Sequence, residues 1–133
     1  MSNSVLTQCA SVRLRDDGVV HVVIRQGADL DAEATRELFA AYRTVGGSGA
    51  LMILSDIRGM RSSTPESRAL ATTDEATALH RAAAVIVGSR LTRMMGNLFM
   101  RLNRPAYPTR LFNDEESAVA WLLSMGRVDA EAG

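Results

Sequence analysis

The chain has no lysine; all 15 of its basic residues are arginine. That excludes a P-loop lysine, a Schiff-base lysine and a lysine general base together. Cysteine appears once, as Cys9, and histidine twice, as His21 and His80. One cysteine forms no internal disulfide, which fits a reducing compartment. Two histidines and one cysteine give no set with metal-ligand spacing. Neither Gly-x-Ser-x-Gly nor Gly-x-Gly-x-x-Gly occurs, so two common catalytic and cofactor-binding signatures are missing. No apolar run approaches the roughly 20 residues that span a bilayer. The 15 arginines face 15 acidic residues for a formal charge of zero, so no broad field favours nucleic acid or an anionic membrane. The opening "MSNSVLTQCASVRLRDDG" has no basic leader, and "LTQC" lacks the small residues expected before a lipidated cysteine. These absences predict a cytoplasmic protein with no catalytic residue, metal or cofactor.

What is present is an ordinary globular composition, 47% hydrophobic and 23% charged over 133 residues, enough for one domain with its own core. "SVRLR" alternates as a half-buried strand does, "DDG" turns, and "VVHVVI" is rich in β-branched residues. His21 within that strand is expected to be structural. Asp31 caps a helix over "AEATRELFAAYRTV", whose apolar stripe is Leu38, Phe39, Tyr42 and Val45. "GGSG" follows this helix, the reverse of the strand-to-helix order of phosphate cradles, and reads as a connector. "ALMILSD" and "AAAVIVG" are short continuous apolar runs, as in strands buried on both faces.

Between those runs, Thr64, Pro65 and Glu66 make a strong helix start, predicting one helix through "ESRALATTDEATALHR" with His80 as a solvated cap in its last turn. "SRLTRMMGNLFMRLN" is the most amphipathic segment. Leu91, Met94, Met95, Leu98 and Leu102 share one helical face and Phe99 widens it, so the stripe is expected to pack on the sheet. Read otherwise, Leu91, Met94, Met95, Leu98 and Phe99 form a surface for a small apolar ligand or a second subunit. "YPTRLF" gives a last strand and "NDEESAVAWLLSMG" a last helix, with Asn113 as its cap. The predicted order is β-β-α-β-α-β-α-β-α: a single α/β domain over residues 1–126, with a five-stranded mixed sheet and four helices. Residues 127–133 are expected to be a flexible tail.

This order, with the closing "RPAYPTRLFNDEESAVAWL", resembles the STAS superfamily and especially its SpoIIAA-like branch, that of the anti-sigma-factor antagonists. The resemblance implies a STAS-like fold and a non-enzymatic regulatory or partner-binding role. In those antagonists a strand ends in an aspartate, and an Asp-Ser-Ser-Gly stretch follows with a phosphorylated serine at a helix start. Asp56 matches the strand-end aspartate, and "RSST" stands where that stretch is expected. The resemblance therefore makes Asp56, Arg58, Arg61, Ser62, Ser63 and Thr64 a candidate phospho-acceptor or partner-binding loop. Arg61 replaces the acid and Thr64 the glycine, so the alternative is a helix cap flanked by solvated serines. The implied partner is an unidentified protein; a small apolar ligand or a lipid held by the 91–102 helix is the alternative, and a homodimer is compatible with either.

Overall fold

The structure, a computed structural model, describes residues 3–132, with side chains through Gly126. Strands β1 (Ser4–Leu6), β2 (Ala10–Leu14) and β3 (Val20–Ile24) form an antiparallel meander, with Val12 opposite Val22. The turn between β2 and β3 needs the positive φ of 87° that Gly18 supplies without steric cost. A three-residue strand β4 (Ala28–Leu30) leads into α1 (Ala32–Gly46), and the Asp31 carboxylate accepts from the Ala34 N–H at 2.8 Å. Strand β5 (Leu51–Asp56) runs parallel beside β3. The chain then forms β6 (Met60–Ser63), α2 (Pro65–Ala69), a 3-10 turn (Leu70–Thr72) and α3 (Asp74–Leu79). Strand β7 (His80–Ile86), helix α4 (Arg90–Leu102), strand β8 (Thr109–Phe112) and helix α5 (Glu115–Ala132) complete it.

The main sheet has the order β1-β2-β3-β5-β7-β8, and β3, β5, β7 and β8 are mutually parallel. Helix α5 covers one face, setting Ala118 and Leu122 on Leu54, Ala82, Ala84 and Ile86. The other helices cover the opposite face, where Val12, Val20, Val22 and Ile53 meet Leu38, Phe39 and Tyr42 of α1. Burying these side chains stabilises the fold by roughly 1.5–3 kcal/mol each relative to exposure.

The α/β class and mixed sheet stand as expected from the sequence, but the counts change. The main sheet has six strands rather than five, because β1 adds an outer edge, and β4 and β6 pair with each other in a second, two-stranded parallel sheet. These strands are three or four residues long, too short for an alternating pattern to emerge. The helix expected after Pro65 is two helices. Thr73, extended at φ −74° and ψ 162°, accepts from the Ala76 N–H and starts α3 afresh, giving five α-helices among the described residues instead of four. The last helix is capped by Asp114, not Asn113: Asp114 Oδ1 accepts from the Ser117 N–H at 2.7 Å. Its backbone is helical to Ala132, across most of the segment expected as a tail; Gly133 lies outside the described residues.

Candidate functional site

Asp56 ends β5 with its carboxylate buried and turned back on the chain. Oδ1 accepts from the Arg58 backbone N–H at 3.1 Å and from Nε at 3.0 Å, and Oδ2 accepts from Nη2 at 2.8 Å. Burial alone would raise the Asp56 carboxyl. The hydrogen bonds from Arg58 outweigh it, and the group stays below the usual carboxylate range. An acid so satisfied is held ionised and is poorly placed to accept a proton.

The serines of the "RSST" segment lie in or beside a strand, not a free loop. Ser62, in β6, donates to Asp29 Oδ1 at 2.6 Å, and Arg61 Nε donates to the same oxygen at 2.9 Å, with Nη2 on Oδ2. Arg61 first and Ser62 second bring the Asp29 carboxyl from 3.8 to about 2. Ser63 is half-buried, with its hydroxyl and its carbonyl both accepting from Arg68 Nη1, at 2.9 and 2.7 Å. Thr64 caps α2 as expected, accepting from the Ser67 N–H at 3.0 Å. Asp56, Arg58 and Thr64 therefore hold their own turn and cap, whereas Arg61 and Ser62 are joined through Asp29. The sequence offered no signal for Asp29.

The second set is divided by α4. A half-buried capping box fixes its start: Ser89 Oγ accepts from the Thr92 N–H, and Thr92 Oγ1 accepts from the Ser89 and Gly88 N–H groups at 3.0 Å. Thr92 and Gly96 are the residues that the helix buries completely. A Cβ on Gly96 would stand 3.1 Å from Leu111 and 3.3 Å from Val87, so the missing side chain sets how closely α4 approaches the sheet edge. The apolar stripe lies about 135° around the helix from that contact. Leu91, Met94, Leu98 and Leu102 are 44, 60, 41 and 70% exposed, where the sequence predicted packing on the sheet. The period placed them correctly on one face. It is the two small residues on another face, Thr92 and Gly96, that let α4 dock closely and so choose its rotation. Arg90, Arg93, Asn97 and Arg101 border the exposed stripe and form a shallow groove with Met94 and Leu98.

Met95 and Phe99 point elsewhere, into a largely apolar cavity of about 170 Å³ between α4, α1 and the sheet. Its floor includes Ser55 and Val85, register partners that stay only half-buried in the adjacent strands β5 and β7. Its wall is an aromatic cluster that sequence reasoning missed. His80 stacks on Tyr107 with ring centroids 4.3 Å apart and planes 8° apart, and meets Phe39 and Tyr42 edge-on at 5.8 and 5.9 Å. His80 is 8% exposed, not a solvated cap, because α3 ends at Leu79 and β7 begins at once, turning the ring into the core. Burial pushes its pKa below the usual 6.5. His21 is likewise depressed by burial, only partly offset by Glu115, whose Oε1 lies 3.3 Å from Nε2 without forming a hydrogen bond. Among the described residues no group of three His, Cys, Asp or Glu is placed to hold a metal, and no helix is long and apolar enough to cross a membrane.

The family described as "Domain of unknown function (DUF7793)" matches residues 12–126, and the chain belongs to it. No curated protein matches. Among solved structures, the chain is similar to an uncharacterized protein of the DUF3478 family with a SpoIIAA-like fold from Shewanella loihica PV-4. The TM-score is 0.60 at 13% identity, covering 85% of this chain and 91% of that one. This shows the fold, SpoIIAA-like as the sequence resemblance implied. A protein of unknown function from Arthrobacter sp. FB24 is 20% identical over 84% of this chain and 97% of that one; its TM-score of 0.32 supports no argument.

Proposed function

We propose that the domain is a non-enzymatic binding module that docks a protein partner on the outer face of α4. The observation that carries this reading is the outward turn of the stripe: Leu91, Met94, Leu98 and Leu102 are all exposed although they share a helical face. Contiguous exposed apolar surface rimmed by polar groups is characteristic of interaction sites. The rim here is Arg90, Arg93 and Arg101, so the partner it suits is an amphipathic segment with acidic residues beside its apolar ones. Methionine at the centre of the stripe gives a surface that adapts to its partner.

Site-specific photo-crosslinking in the host tests this. A crosslinker at Leu98 is expected to give one discrete protein adduct that a crosslinker at Thr77, on the exposed side of α3, does not give. Arg93→Glu with Arg101→Glu is expected to weaken that adduct strongly. An identical adduct pattern from both positions, or an adduct indifferent to the arginines, contradicts the reading. An adduct of twice the chain's mass would replace the foreign partner by a second copy.

A further inference from the structure

We propose that the cavity beneath α4 binds a single-ring aromatic alcohol, its ring among Phe39, Tyr42 and Phe99 and its hydroxyl donating to His80 Nε2. The inference is independent of partner docking on the opposite side of α4. Size is the first constraint. About 170 Å³ is close to the roughly 150 Å³ cavity that accommodates benzene, and below the roughly 300 Å³ at which drug-sized pockets begin. An acyl lipid does not fit; one six-membered ring with a small substituent does.

Hydrogen-bonding capacity is the second constraint. His80 Nδ1 lies 2.8 Å from the Ala76 carbonyl, which can only accept, so the proton is on Nδ1. The neutral ring then keeps Nε2 as an acceptor. Three of the neighbouring polar groups are already engaged. Tyr107 donates its hydroxyl to the Ala71 carbonyl at 3.0 Å. Thr35 donates to the Asp31 carbonyl at 3.0 Å, and Ser67 lies 2.6 Å from Thr35 Oγ1. Arg68, the one charged side chain of the lining, is turned onto Ser63, donating from Nη1 to its carbonyl and hydroxyl at 2.7 and 2.9 Å. The lining is otherwise mostly apolar, which favours an uncharged body over an anion that burial would penalise. An apolar ring bearing one donor satisfies both constraints.

The test titrates the full chain at pH 7.5 with 4-methylphenol, toluene and 4-methylbenzoate, followed by amide NMR shifts and calorimetry. The phenol is expected to saturate with a Kd below about 1 mM and to shift the amides of Ala71, Met95 and Phe99. Toluene is expected to bind about tenfold more weakly for want of the donor, and the carboxylate more weakly still. Ala71→Leu, which fills the half-exposed rim, is expected to abolish phenol binding. His80→Phe, which keeps a ring against Tyr107, is expected to reduce the phenol to the level of toluene. If that variant does not fold, the comparison of ligands on the wild type decides. Equal binding of the three ligands, strongest binding of the carboxylate, no saturation by any, or phenol binding unchanged in Ala71→Leu would each overturn the proposal.

Discussion

At the scale of the residue, the buried histidine ties stability to pH. His80 has a folded-state pKa below its ordinary 6.5, and so does His21. Below 6.5 the unfolded chain therefore binds protons that the folded chain refuses, and stability falls as the medium is acidified from 6.5 toward the folded-state values. Each such proton contributes a slope of up to about 1.4 kcal/mol per pH unit within that window. Urea midpoints at pH 7.5, 6.5 and 5.5 are expected to decline, and His80→Phe is expected to remove much of the decline. A flat profile in the wild type would refute the assignment of a neutral, buried His80. The "RSST" serines give a second prediction. Ser62 donates to Asp29, so Ser62→Asp sets two carboxylates side by side instead of a donor and an acceptor. Its melting temperature is expected to fall below that of Ser62→Ala, with the deficit shrinking in high salt. Acidic replacement leaving melting unchanged, the outcome expected for serines in a solvated loop, would count against the Asp29 contact.

At the scale of the element, the periodicity of side chains identified most of the helices and strands but not how they are rotated. The 91–102 helix was legible because its apolar residues recur at helical spacing. The direction of that stripe was not, because rotation depends on the close contact of Gly96 with Leu111 and Val87, residues near in space and distant in sequence. The β4–β6 pair was hidden for the same reason: each strand is stabilised by its partner some thirty residues away, not by a local pattern. His80 was misread because only the immediate entry of α3 into β7 places it inside. Gly96 now carries a prediction. Gly96→Val puts branched carbons where a single Cβ already stands 3.1–3.3 Å from its neighbours, and is expected to cost about 1–3 kcal/mol despite improving helix propensity. A stabilised Gly96→Val protein, measured by denaturant titration, would show that α4 does not rest there. Because α4 buries only Thr92 and Gly96 completely, its amides are expected to exchange sooner than those of β5 and β7. Equal protection would contradict a helix seated on so small a contact.

At the scale of the whole molecule, the SpoIIAA-like fold was readable because strand and helix signals alternate in the right order and the closing "YPTRLF" strand and acid-started helix are distinctive. The functional surfaces were less readable, since both depend on how α4 sits: its outer face is the proposed docking surface and its inner residues Met95 and Phe99 close the cavity. The apolar stripe contributes little to holding the domain together. The urea midpoint of Met94→Gln with Leu102→Gln tests it most directly, because glutamine keeps helix propensity while removing apolar side chains that are 60 and 70% exposed. The double variant is expected to be folded and within about 1 kcal/mol of the wild type, as for exposed positions. A loss of about 4 kcal/mol or more, the scale of truncating two packed core side chains, would mean that the stripe faces the core and would contradict it.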